Sequence, residues 1–383
     1  MDTVVDLFAG CGGLSKGFEN EGFDIKAAFE NWPTAANCYR LNFSHPVHQT
    51  DLSDTEEAVR LIRSYRPDII IGGPPCQDFS HAGKRVEATR ASLTDSFAKI
   101  VSEIRPKYFL MENVDRAQTS CAYASAREVL KAANYGLSEV VLLASKCGVP
   151  QRRKRFFCIG ILGGSDGELV DFLSENLSEK EMTMRDYFGD SLDLEYYYRH
   201  PRNYNRRAIF SIDEPAPTMR GVNRPIPQGY PGHPNDACPI TSSIRPLTTL
   251  ERALVQTFPA DYKWTGSKTD QEQMVGNAVP VKLAQYVAAA IKRHIEARAS
   301  KAIASNEFRE WLEKNKDLSE RTRTDIISRL KRIDKIVGLD KIEDDGFHTH
   351  LLQSEDFIKL SSSVKSQMKR SANLLKEYLD DTA

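Results

Sequence analysis

In the N-terminal half of the chain, short apolar runs alternate with segments whose apolar residues recur at helical spacing. Residues 3–9 are mainly apolar and stop at Gly10-Cys11-Gly12-Gly13, after which Leu14 and Phe18 share a helical face. That order reads as strand, glycine turn, helix. Residues 23–30 give a second strand ending in an acid, and the tract Gln49-Thr50-Asp51-Leu52 ends a third. Ala58, Val59, Leu61 and Ile62 suit the helix that follows. Further strands are expected at 67–71, 107–111, 140–144 and 156–162. The alternation predicts an α/β fold with a doubly wound, largely parallel Rossmann-like sheet.

The pattern then changes. Residues 166–195 carry ten acids against Lys180 and Arg185, which suggests a solvated connection. Residues 196–232 hold six arginines, with Asp213 and Glu214 as the only acids, among many Pro, Gly and Tyr. This reads as a small loop-and-strand domain beside the sheet. Residues 280–299 form a helix with proline in its first turn. Beyond about Ser300 the chain is charged and amphipathic. Phe308, Trp311 and Leu312 make one stripe; Ile326, Ile327, Leu330, Ile333 and Val337 make another, with a helix start at Ser319. The expected divisions are 1–162, 163–244, 245–299 and 300–383.

Composition narrows the class. The 383 residues are 40% hydrophobic and 27% charged, as in ordinary globular proteins. No apolar run approaches the ~20 residues of a membrane span, and the N-terminus lacks the pattern of a signal peptide. Seven cysteines without a Cys-x-x-Cys pair argue against disulfides and zinc, and for the cytoplasm. The net charge of −1 does not advertise nucleic-acid binding, so charge has to be followed locally.

The chemistry concentrates at Gly72-Gly73-Pro74-Pro75-Cys76-Gln77-Asp78-Phe79-Ser80. A buried strand that meets two glycines and two prolines must break into a stiff loop at its carboxyl end. Most lone cysteines are small buried hydrophobes. Here the polar neighbours Gln77, Asp78 and Ser80 make Cys76 a displayed nucleophile. Glu112 ends the fifth strand and is the candidate general acid beside it. The glycine turn with Glu30 twenty residues beyond Gly10 suits a nucleotide-type ligand, the acid accepting from ribose hydroxyls. Asp51 is placed to accept from an adenine amino group. Gln151-Arg152-Arg153-Lys154-Arg155 brings cations to the same edge, to anchor a base or an anionic polymer.

Five motifs stand in order: 6–14 (DLFAGCGGL), 73–77 (GPPCQ), 112–114 (ENV), 151–155 (QRRKR) and 273–280 (QMVGNAVP). Together they resemble the DNA cytosine-5 methyltransferase family in its bacterial restriction–modification form, over residues 3–299 apart from the variable segment near 163–244. The resemblance implies S-adenosylmethionine as cofactor, no metal, duplex DNA as substrate, a companion endonuclease as functional partner, and a monomer. It implies that Cys76 adds to cytosine C6, that Glu112 engages N3, and that the base is flipped out of the duplex. Arg155 would contact that base, and Arg153 would support the loop or a phosphate. Phe8, Ala9, Gly10, Gly12, Leu14, Glu30, Trp32, Asp51, Leu52, Pro74, Asn277 and Ala278 carry over as cofactor residues. Gln77, Ser80 and arginines of the variable segment (Arg199, Arg206, Arg220, Arg224) carry over to DNA. The tail faintly resembles a recombinase-type core-binding helical domain, with a protein contact or a stabilising role as equal alternatives. An RNA-directed member of the family and a catalytically silent DNA-binding regulator are the competing readings; intact Cys76, Glu112 and Arg155 speak against the second.

Overall fold

Val4, Val5, Ile69, Ile70 and Ile71 are β-branched and wholly buried, and they form the central strands. The computed structural model describes residues 2–75, 92–201, 203, 205–304, 306–339, 342 and 347–381. Its strands are β1 (Thr3–Leu7), β2 (Asp24–Phe29), β3 (Val47–His48), β4 (Ile69–Gly72), β5 (Tyr108–Val114), β6 (Tyr135–Leu143), β7 (Gln151–Arg152) and β8 (Lys154–Leu162). Seven of them form one sheet in the order β3-β2-β1-β4-β5-β8-β6. The first five run parallel, and β8 is antiparallel to both β5 and β6. The chain winds outward from β1 to β3, then returns to place β4 on the other side of β1. That reversal is a topological switch point, where open sheets form a crevice at their carboxyl edge.

Helices cover both faces. On one, α3 (Thr55–Arg63), α4 (Leu93–Ile104) and α5 (Cys121–Ala132) pack Ile62, Phe97 and Leu130 against Ile70 and Phe109. On the other lie α1 (Gly13–Asn20) and the later α10 (Val281–Ala304), whose Leu283, Val287 and Ile291 meet Val4, Ile69 and Leu110. A β-carbon at Gly17 would lie 2.4 Å from that of Ala284, so glycine is what lets α1 approach α10.

The remaining helices before α10 are α2 (Pro33–Arg40), which links β2 to β3, and α6 (Val170–Ser174), α7 (Met184–Phe188), α8 (Thr249–Val255) and α9 (Lys268–Asn277), which follow β8 in the chain. The acid-rich 166–195 tract is not simply a solvated connection. Leu169 and Leu173 join the sheet's core, while Met184 and Leu192 join a core with Tyr197, Phe210, Met219 and Leu247. Its acids alternate with apolar residues at one-turn spacing, so the charge count hid a buried side. The arginine-rich segment contributes the antiparallel pair β9 (Tyr196–Tyr198) and β10 (Ile209–Ser211), and β11 (Ala216–Pro217), which pairs in parallel with β7.

The tail consists of α11 (Asn306–Asn315), α12 (Glu320–Val337), α13 (Phe347–Gln353), α14 (Glu355–Ile358) and α15 (Ser362–Asp381) around its own core of Phe308, Leu312, Leu330, Met368 and Leu375. Ser319 caps α12, its hydroxyl accepting from the Thr322 amide at 3.2 Å. Asp380 of α15 pairs at 2.8 Å with Lys107, just before β5. The tail therefore sits at the end of the sheet opposite the carboxyl edge. Among the described residues one helical stretch, Lys268–Arg298, has the length and apolarity to cross a membrane; it spans α9 and α10, and 67% of its apolar window is buried in the protein.

Candidate active site

The carboxyl ends of the parallel strands open into a cleft of about 850 Å³, inside the ~300–1,000 Å³ range of small-molecule sites. Phe8, Ala9, Gly10 and Leu14 line it after β1, Glu30 and Trp32 after β2, and Asp51 and Leu52 after β3. Gly73 and Pro74 enter after β4, Glu112 and Arg155 from β5 and β8, and Asn277 and Ala278 from the end of α9.

The glycine turn has a backbone reason. Gly10 has φ +55, and a β-carbon there would meet nothing within 4 Å, since it would project into open space. Gly12, expected among the cofactor residues, instead caps α1 at φ +91 and turns toward Phe43, where a β-carbon would be 2.4 Å from the ring. Both conformations favour glycine. Phe8 is also left-handed (φ 57), which costs a bulky residue energy and was not legible in advance. Beneath the turn, buried Asp6 accepts from the Ser15 hydroxyl at 2.6 Å, and Tyr39 donates to Ser15 at 2.5 Å. Burial pushes Asp6 up to about 7.

Glu30 is held from both sides. One carboxylate oxygen accepts from the Gly10 amide at 2.7 Å and the other from the Trp32 amide at 2.7 Å. Burial pushes its carboxyl above the usual range, against those hydrogen bonds. A carboxylate offers about four acceptor sites, so lone pairs remain for a ligand's hydroxyls. Asp51 is exposed at the cleft, and one of its oxygens accepts from the Ser53 amide at 2.9 Å.

At the other end of the cleft, Glu112 is 7% exposed and its Oε1 lies 2.8 Å from Nε of Arg155. Burial raises the Glu112 carboxyl, and the cations Arg155 and Arg153 only partly oppose it. Burial likewise lowers Arg155, opposed by Glu112. A β-carbon at Gly73 would stand 3.1 Å from Glu112 Oε2, so the loop leaving β4 runs against this carboxyl. Asn113 fixes that loop by donating to the Pro74 carbonyl at 3.0 Å in a buried bond. Nothing local to the 112–114 motif marks Asn113 for this task. Cys76, two residues beyond Pro74, and Gln77 and Ser80 lie outside the described residues.

Arg153 was expected with the catalytic residues; the structure does not bring it to the cleft wall. It is wholly buried and donates to the carbonyls of Met219 (2.9 Å), Gly276 (2.9 Å) and Ala278 (3.1 Å). Wholly buried, this guanidinium is out of reach of a phosphate. Gln151 is also buried, bonded to Gln256 and to the Met219 amide. The recognition arginines divide. Arg199 donates to the Thr218 carbonyl at 2.6 Å, and Arg220 to the His200 carbonyl. Arg206 and Arg224 stand exposed.

Known proteins resemble this chain in sequence and in fold. The family model for C-5 cytosine-specific DNA methylase matches residues 3–293. Type II methyltransferase M.HgiDI of Herpetosiphon aurantiacus is 56% identical over 76% of this chain and 94% of its own length. Type II methyltransferase M.HindV of Haemophilus influenzae is 57% identical, covering 75% and 95% respectively. In fold, the chain resembles the S. pombe Dnmt2 methyltransferase with a TM-score of 0.56 at 18% identity, over 76% of this chain and 98% of that one.

Proposed function

The chain belongs to the C-5 cytosine-specific DNA methylase family and is a DNA cytosine-5 methyltransferase; on that premise we propose how its residues divide the work. Cys76 is the nucleophile, Glu112 the acid and Arg155 its partner at the base. Two similar relatives carry type II names at 56% and 57% identity, which supports a place in a restriction–modification system, beside an endonuclease of the same specificity. The single observation that carries the residue assignment is the buried Glu112–Arg155 pair against the loop that leads to Cys76.

The family's methyl donor is S-adenosylmethionine, and the cleft fits it. Open space beside Gly10 and the twice-anchored carboxylate of Glu30 suit a ribose, and Trp32 offers an aromatic face for the adenine. Asp51 and Leu52 would hold the adenine edge; Phe8, Ala9, Leu14, Pro74, Asn277 and Ala278 would enclose the rest. When bound, that group supplies an electrophilic methyl.

The chain's own residues prepare the base. Cytosine C5 is a weak nucleophile, and neither C6 face is open inside a duplex, so the base must leave the stack. Cys76 forms a bond to C6 as a thiolate. Glu112, whose carboxyl burial raises, carries the proton given to N3, and Arg155 stays hydrogen-bonded between the carboxyl and the base. Once C5 carries the methyl, a base takes the C5 proton, the C5–C6 double bond re-forms, Cys76 leaves as the thiolate, and the N3 proton returns to Glu112.

Two results test these assignments apart from the chemistry. Glu30→Ala should weaken S-adenosylmethionine binding about 10–100-fold, since hydrogen bonds to a charged group contribute roughly 1.5–3 kcal/mol. Equilibrium dialysis measures it, and unchanged affinity would remove Glu30 from the site. Arg206→Ala or Arg224→Ala should alter which DNA is methylated. An arginine reading guanine discriminates by ~1–3 kcal/mol, whereas one on phosphate weakens all sequences alike. Methylation of a randomised duplex pool, scored by bisulfite sequencing, separates the two; an unchanged sequence profile and salt slope for both variants would move the reader elsewhere in the segment. Arg220→Ala should chiefly destabilise the segment, because its guanidinium is committed to the backbone.

A further inference from the structure

The tail presents a surface that the reaction does not use. The family match ends at residue 293, and the helices beyond it close on a core of their own. In α12 that core takes Ile326, Leu330 and Ile333, so the positions opposite them face water. Those positions hold Arg321, Thr324, Ser328, Lys331, Arg332 and Lys335, and all six side chains are exposed. They recur at steps of three and four residues along one face of the helix. The face is made of cations and hydroxyls, with neither a carboxylate nor an apolar side chain among them.

Neighbouring cations are occupied. Arg323 pairs with Glu313 at 3.4 Å, and Arg329 with Asp325 at 3.6 Å. Lys316 pairs with Glu377. Among the described residues, Arg321, Lys331, Arg332 and Lys335 have no such partner. Thr324 accepts from Arg309 at 3.4 Å, which leaves its own proton to donate.

Unpaired charge of one sign suits a polyanion, and hydroxyls set between cations suit phosphate oxygens. A protein partner would need an apolar or aromatic anchor, and this face offers none. From Arg321 to Lys335 the strip is about 21 Å long, at ~1.5 Å per residue. Phosphates along one DNA strand rise ~3.4 Å each, so the strip matches about six base pairs. The tail is fastened through Asp380 to Lys107, before the first residue of β5, whereas Glu112 near the strand's other end lines the cleft. A duplex in the cleft and a duplex on α12 are therefore different segments.

We propose that the outer face of α12 is a second, sequence-independent DNA surface, which holds one duplex segment by its phosphates while the cleft holds the cytosine to be methylated. The proposal rests on the cleft as the seat of the target duplex. A chain held at two points rebinds rather than dissociates, so it stays on long DNA after leaving one site.

The test compares the full chain with the triple variant Lys331→Ala, Arg332→Ala, Lys335→Ala. The cleft is filled with S-adenosylhomocysteine and excess short duplex carrying the methylated sequence. Fluorescence anisotropy then follows a second, labelled duplex that lacks it. The wild type should bind the second duplex, and the slope of log affinity against log salt should be shallower by about two to three in the variant, since each phosphate contact contributes ~0.9. The variant should keep its melting temperature and its methylation rate on a short single-site duplex, because the three side chains are exposed and far from the cleft. A second duplex left unbound by the wild type, or a variant with the wild-type slope, would overturn the proposal. So would preference for poly-L-glutamate over duplex, which would assign the face to an acidic protein. If the short duplex fails to fill the cleft, the reading of the cleft fails instead, and the salt slopes of the free chains still decide α12.

Discussion

Cys76→Ser is expected to abolish methyl transfer to duplex DNA while S-adenosylmethionine binding stays at the wild-type level. A thiol ionises near pH 8.5 and a positioned thiolate lower still, whereas a serine hydroxyl supplies almost no alkoxide at neutral pH. The bond to C6 is then not made, and C5 keeps its low reactivity. Binding should survive because the residues proposed to hold the cofactor follow β1, β2 and β3 or end α9, with only Pro74 and its neighbours shared. Transfer of a labelled methyl group and equilibrium dialysis on the same preparation read both quantities. Measurable turnover by the serine variant would remove Cys76 from the mechanism.

Glu112→Gln should slow single-turnover methylation by about 10²–10⁴-fold, the usual range for an acid–base group, with DNA affinity near wild type. Glutamine keeps the size and one donor but cannot deliver a proton, and it ends the ion pair with Arg155. The pH dependence carries the same sign. Burial raises the Glu112 carboxyl above its ordinary value, so the protonated form persists to higher pH than in a free side chain. The wild-type rate should fall as pH rises through that raised value, because the acid is then lost. The Gln variant should lack this decline. A variant with an unchanged single-turnover rate, or with the same decline, would exclude Glu112 as the acid.

Much of this was legible in the sequence because it is local. The run Ile69, Ile70, Ile71 followed by two glycines and two prolines specifies a buried strand and an abrupt loop without help from elsewhere in the chain. The same holds for the turn at Gly10, where spacing linked it to Glu30 across one strand–helix–strand unit. Boundaries were less clear. The sixth strand was expected at 140–144 but runs Tyr135–Leu143, since its first residues gain their strand geometry from pairing with β8. The third, expected to end near Asp51, is only Val47–His48, leaving Asp51 in the loop where it faces the cleft.

What remained hidden is long-range. Arg153 reads as one cation in a basic run, and only the fold shows it buried among three carbonyls from two distant stretches. Asn113 likewise looks like a strand-end amide until the Pro74 carbonyl is seen 3.0 Å away. Arg199 and Arg220 could not be told from Arg206 and Arg224 by composition, although the first pair bonds main chain and the second is exposed. Side chains that satisfy distant backbone groups leave no periodic trace in the sequence.

The most direct test is covalent trapping on duplex DNA in which 5-fluorocytosine replaces cytosine, incubated with the full chain and S-adenosylmethionine. Fluorine at C5 cannot leave as a proton does, so the carbon–sulfur bond should persist. The account predicts an SDS-resistant protein–DNA complex, with peptide mapping placing the nucleotide on Cys76 and no complex from Cys76→Ser. No complex from the wild type on DNA that it methylates when unfluorinated, or a nucleotide mapped to another residue, would contradict it.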